Sequence, residues 1–155
     1  MNTKSVLKAM TSFGFLVAAE SFAQAEIIQY NYNKNYSEYT TTPSLVPITS
    51  TGATSINFVA KKAGLVGVTF SAECSVSGSA NNYWLGIDIL IDGVVVAPTG
   101  SDDAFCTEVP NTTIYGMNPI TVAKLPTKGT HTLTVRSYVI GDTGRLDDVA
   151  VTLWR

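Results

Sequence analysis

From Leu65 to Cys74 the chain alternates strictly: Val66, Val68, Phe70, Ala72 and Cys74 hold one parity, and Gly67, Thr69, Ser71 and Glu73 the other. Successive side chains of extended backbone point to opposite faces, so a two-residue period marks a strand with one side buried. This strand places Cys74 in the core. The same period returns in Ser55 to Ala60, with Ile56 and Phe58 inward, and in Tyr83 to Ile91, with Tyr83, Leu85, Ile87, Ile89 and Ile91 on one face. It returns again from His131 to Ile140, through Leu133, Val135 and Val139, and from Val149 to Trp154, through Val149, Val151 and Leu153. No stretch after residue 25 carries a 3.6-residue period. An all-β fold follows.

Turn chemistry divides these runs. Asp92-Gly93 between Ile91 and Val94-Val95-Val96 is a strong hairpin signal, and Lys61-Lys62-Ala63-Gly64 reads as a hairpin loop joining Ser55–Ala60 to the strand that begins at Leu65. Ile120 to Ala123 is a further strand, ended by Pro126, and Lys128-Gly129 turns the chain toward His131. With an N-terminal strand at Ile27 to Tyr32, the expectation is about eight strands in a two-sheet antiparallel jelly-roll-like sandwich. The absence of an internal repeat argues against a propeller or solenoid. Between them, residues 26–54 form a Tyr-rich strand-and-loop segment and residues 55–155 the sandwich. Tyr30, Tyr32, Tyr36 and Tyr39, interleaved with Asn, Lys, Ser and Thr, have the amphipathic character of a binding or assembly surface.

The chain of 155 residues is 45% hydrophobic and 14% charged, which provides a core and excludes disorder and collagen; few charges and no heptad exclude a coiled coil. A net charge of −2 leaves no basic stripe for nucleic acid or an anionic membrane.

The first 25 residues read as a secretory signal peptide. Lys4 and Lys8 supply a basic start, Ala9 to Ala19 an apolar run, and Ala23-Gln24-Ala25 a cleavage pattern, with Glu20 the one discordant residue. At about 11 residues the run is shorter than the roughly 20 that span a bilayer as a helix, so membrane insertion is not expected. Cleavage removes two Lys and one Glu, leaving 8 basic and 11 acidic side chains, a balance of −3. In an oxidising compartment Cys74 and Cys106 are expected to pair, closing a loop of about 33 residues. Free buried thiols and a reactive cysteine are the alternatives.

Several runs carry a family resemblance. Ile56-Asn57-Phe58-Val59-Ala60, Ala63 through Phe70, and Leu125 followed by Gly129 through Val135 resemble secreted jelly-roll domains of the C1q/TNF-like type. Ala72-Glu73-Cys74, Trp84-Leu85, Asp88-Ile89-Leu90 and Asp92-Gly93 resemble bacterial exported domains of unassigned function. The resemblance covers residues 55–154 and implies a fold. C1q-like domains associate as trimers and bind ligands through loops, so it also implies a homotrimer, although the collagen stalk of the complement proteins is absent.

Catalytic signatures are missing: there is no Gly-x-Ser-x-Gly elbow, no His-Glu-x-x-His, no phosphate loop and no dinucleotide fingerprint. His131 is the single imidazole, opening a strand after a turn, where a structural role is expected. Asp88 and Asp92, about 13 Å apart along a strand, are too distant to act as a glycosidase pair. Asp102-Asp103 and Asp147-Asp148 are oxygen-donor pairs of the sort that hold Ca²⁺, with Asp142 or Glu108 as further ligands; solvated turn acids are the competing reading. The sequons at Asn35 and Asn111 matter only in a host with a glycosylation pathway.

A different group lies out of phase with the core. Trp84 has the opposite parity to Leu85 and shares its face with Asp88, while Tyr138 and Trp154 also oppose their strands' inward sets. Rings beside a carboxylate and an arginine suit a sugar, whose flat apolar face stacks while its hydroxyls bond to charge. Trp84, Asp88, Arg136, Tyr138 and Trp154 are therefore expected to form one ligand-binding patch if their strands are neighbours. The competing readings cover these rings with the Tyr-rich segment or a second protomer, or leave them as isolated surface aromatics. Together these features predict an exported, non-catalytic binding module for a carbohydrate or cell-surface ligand, needing no cofactor. A structural subunit of a homo-oligomer and a hydrolase using loop carboxylates are the alternatives.

Overall fold

The computed structural model describes residues 26–77, 83–97, 104–107, 114–117, 121–125 and 127–155. The signal-peptide reading at residues 1–25 and the Asp102-Asp103 pair lie outside these, as do Glu108 and Asn111. Within them the protein is all-β, with two antiparallel sheets. Strands β1 (Ile27–Asn33), β2 (Ser37–Tyr39), β5 (Gly64–Ser77), β9 (Ile114–Met117), β10 (Thr121–Leu125) and β12 (Thr143–Trp154) build sheet A. Sheet B holds β3 (Ser44–Leu45), β4 (Ser55–Ala60), β6 (Trp84–Ile91), β7 (Val94–Ala97), β8 (Ala104–Thr107) and β11 (Gly129–Ile140). The order in sheet A is β1-β12-β5-β10, with β2 on β12 and β9 on β5; in sheet B it is β3-β11-β6-β7, with β4 on β11 and β8 on β6.

Between the sheets lies one core. The inward parities of the sequence are the buried ones: Val66, Val68, Phe70, Ala72 and Cys74 on β5, Leu85, Ile87, Ile89 and Ile91 on β6, and Leu133, Val135 and Val139 on β11. Residues 26–54 are woven into this body rather than appended to it. They supply strands to both sheets, and Val46 and Ile48 are fully buried. The described residues hold twelve strands, not the expected eight, because β2, β3, β8 and β9 are only two to four residues long. So short a strand shows no measurable period.

Lys61-Lys62-Ala63-Gly64 is not a hairpin. β4 pairs with β11 in sheet B, whereas β5 pairs with β12 in sheet A, so this segment carries the chain from one sheet to the other. Asp92-Gly93, by contrast, joins paired strands β6 and β7, and both residues take the positive φ (52° and 79°) that a type I′ turn requires. On β12 the ladder with β5 slips between Asp147 and Ala150, where Asp148 has φ 49°. The extra residue reverses the side-chain parity, which is why Leu146 and Val149, three positions apart, both face the core.

Cys74 and Cys106 form a disulfide, with Cα atoms 6.5 Å apart. It ties β5 of sheet A to β8 of sheet B. Among the described residues there is no helix long and apolar enough to cross a membrane.

Candidate functional site

Four of the five predicted patch residues meet on the outer face of sheet B. In the β6–β11 ladder Asp88 stands opposite Arg136, Gly86 opposite Tyr138, and Trp84 opposite Ile140, so successive outward positions lie side by side. The Arg136 guanidinium donates twice to Asp88 Oδ2, from Nε at 2.9 Å and from an Nη at 2.5 Å. Asp88 is largely covered, with 13% of its side chain exposed against 38% for Arg136. A part-exposed pair of this kind contributes only about 0.2–1 kcal/mol, so its larger effect is to fix where two hydrogen-bonding groups stand.

The rings stand next to it. Trp84 meets Tyr138 edge to face, with centroids 5.4 Å apart and planes at 78°. Tyr138 lies over Gly86, where any Cβ would overlap the phenol ring. The glycine makes room for a ring to rest on the sheet. Trp154 repeats the device elsewhere: its indole lies over its ladder partner Gly67 on β5, with Nε1 donating to Thr69 Oγ1 at 3.4 Å. That places Trp154 on the outer face of sheet A, so it does not join the other four. The two aromatic faces look away from each other across the core.

Sheet A carries its own polar and aromatic surface. Tyr30 and Tyr32 stand opposite Thr152 and Ala150 on the same outer face as Trp154, and Tyr36 lies beneath the Arg145 guanidinium, 6.0 Å from its ring centre. Asp147 and Asp148 sit at the β12 bulge rather than in a loop. Asp148 accepts the Tyr32 hydroxyl, and this bond pushes the Tyr32 pKa up to about 12. Asp147 accepts the Asp148 backbone N–H at 2.9 Å. Among the described residues no three His, Cys, Asp or Glu side chains converge as a metal site would require.

A second charged contact lies away from the patch. Buried His131 has Nδ1 2.6 Å from Asp92 Oδ2 and Nε2 3.2 Å from the Thr127 carbonyl. Both neighbours are acceptors, and only a protonated imidazole donates to both. The Asp92 hydrogen bond therefore raises the His131 pKa, and the same bond, aided by the Thr132 N–H, lowers that of Asp92. Asp92 thus pins the β6–β7 turn to β11, and sequence alone offered no hint beyond its position in an Asp-Gly turn.

A pH dependence follows. The contribution of a raised His131 is complete below the ordinary imidazole pKa near 6.5 and fades as pH rises through the folded value; that of a lowered Asp92 is complete above about 3.9 and fades in acid. Asp92→Asn is expected to cost about 1–2 kcal/mol between pH 4.5 and 6.5, the about 1.5–3 kcal/mol of a charged hydrogen bond reduced because the Asp92 side chain is 47% exposed, and less at pH 9. Urea denaturation of both proteins across that range checks it; a difference independent of pH refutes the charged pair.

Asp88 is thus held by Arg136, and Asp92 by His131. No family model matches the chain, and no curated protein matches it either.

Proposed function

We propose that the protein is an exported, non-catalytic binding module that recognises a carbohydrate through Trp84, Asp88, Arg136 and Tyr138 on the outer face of sheet B. The observation that carries this reading is the edge-on Trp84–Tyr138 pair set directly beside the Arg136–Asp88 pair on one sheet face. Ring faces stack on the C–H side of a sugar, and the fixed guanidinium and carboxylate bond to its hydroxyls. Export is supported by the N-terminal sequence and by a disulfide that persists in oxidising compartments. The jelly-roll resemblance to C1q/TNF-like domains is supported by the two strand orders, in which all but one pair of consecutive described strands are unpaired.

Titrating the purified protein with mono- and oligosaccharides while following tryptophan fluorescence is expected to give a saturable change. Tyr138→Ala removes one stacking ring, about 0.5–1.5 kcal/mol, and is expected to weaken binding between two- and tenfold. No saturable response, or one that Trp84→Ala leaves intact, rejects the platform.

A second reading rests on a separate observation. Tyr30 and Tyr36 are 60% and 52% exposed on or beside the outer face of sheet A, and a homo-oligomer would cover them. Sedimentation showing a monomer at every concentration removes it.

A further inference from the structure

On one side of the sandwich two sheet edges come together. β1 ends sheet A and β4 ends sheet B, and neither has a second neighbour among the described residues. Between them runs a groove of about 330 Å³, lined by residues 26–29 and 57–59 with Lys61 and Arg155.

Three properties of this groove define what would fill it. The first is backbone: every second N–H and C=O of an edge strand points away from its neighbour and offers a ladder to an added strand. Edges are ordinarily guarded by Pro, charge or a bulge; β1 has a register shift between Ile27 and Gln29, whereas Ser-Ile-Asn-Phe-Val-Ala of β4 contains neither Pro nor charge and pairs with β11 without a shift. Apolar surface is the second, since Val59 and Ile27 are 64% and 66% exposed at its rim. Charge is the third. Lys61 and Arg155 line the groove together with Glu26, on a chain whose net charge is −2, and neither Lys61 nor the adjoining Lys62 is in an ion pair among the described residues. Arg155 is held in place by donating to the Lys62 carbonyl at 3.0 Å.

We infer that this groove takes an extended acidic peptide from a partner protein. The peptide adds a strand to the β4 edge, turns an apolar side chain across the groove toward β1, and places carboxylates against Lys61 and Arg155. At ~3.3 Å per residue, a lining of three to four residues on each side suits a segment of about four. An acyl chain with an anionic head would satisfy the charge and the apolar rim but leave the edge N–H and C=O groups without partners. The groove shares no residue with the Trp84 and Tyr138 platform, and its failure would leave that reading untouched.

The test uses two labelled hexapeptides, one alternating Glu with Val and one alternating Lys with Val, followed by fluorescence anisotropy and by amide chemical shifts of the protein. The acidic peptide is expected to bind at least tenfold more tightly than the basic one, to weaken with salt, and to shift amides of residues 57–61 and 26–29. Lys61→Glu, in an exposed turn, is expected to lower that affinity at least tenfold, and Lys61→Arg to retain it. Equal binding of both peptides, no binding at millimolar concentration, shifts on other strands, or indifference to Lys61→Glu overturns the inference. So does a concentration-dependent shift of the same amides without peptide, which would assign the edge to a second copy of the chain.

Discussion

Reduction of the Cys74–Cys106 bridge is expected to destabilise the protein by about 3.5–4 kcal/mol, the value the chain-entropy model gives for a loop of this length. The two cysteines are 32 positions apart, and the segment between them includes β6, β7 and the start of β8. Opening the bond lets that segment explore conformations in the unfolded chain that the closed loop forbids. It also removes a side-chain cross-link between the sheets: β5 belongs to sheet A and β8, only four residues long, to sheet B. β8 is then held by a ladder of three residue pairs with β6 and by the Phe105–Phe70 contact, so local loosening near β8 is expected before global unfolding. Urea denaturation with and without reductant checks the prediction. With a urea dependence of about 1–3 kcal/mol per M, the midpoint falls by more than 1 M. A change below about 1 kcal/mol would mean that packing between the sheets, rather than the cross-link, fixes this connection.

What the sequence could convey was local, and the fold is mostly non-local. The alternation of β5, β6 and β11 identified their buried faces residue by residue, including inward Cys74, because each strand is long enough to count a period and one face meets the core. Asp92-Gly93 was legible because β6 and β7 are the one sequential pair among the described strands. Everywhere else a turn leads away. Lys61 to Gly64 has the composition of a hairpin loop, but β4 finds its partner in β11, about seventy positions later, and no local signal encodes that choice. Trp154 was grouped with Trp84 for the same reason: parity gives the side of a strand, not the sheet to which the strand belongs. Parity correctly sent Trp84, Tyr138 and Trp154 outward. The reason two of those rings lie against the sheet is the glycine opposite each, Gly86 for Tyr138 and Gly67 for Trp154, and that is a fact of register. Asp148 broke the two-residue rule by itself, since a bulge is invisible until two strands are paired.

Phe70→Ala is expected to cost about 3–5 kcal/mol, comparable to the loss of the disulfide, and the two effects should not add. Phe70 is fully buried and the bulkiest of the side chains so enclosed, and its ring meets Phe105 in a T-shaped contact at 5.2 Å. Phe105 precedes Cys106, while Phe70 shares the inward face of β5 with Cys74, so the ring pair and the sulfur bridge join the same two strands. Truncation leaves a cavity on the β5 side and removes the surface against which β8 packs. With the bridge intact, β8 stays tethered and the cavity is partly refilled. Once the bridge is reduced, the Phe70–Phe105 contact becomes the main tie between β8 and β5. A double-mutant cycle of Phe70→Ala against Cys74→Ala/Cys106→Ala, read by urea denaturation, is expected to give a coupling of about 0.5–3 kcal/mol, as for residues in contact. Strict additivity would show that ring and bridge stabilise β8 independently, and that the core beneath it is rigid without either.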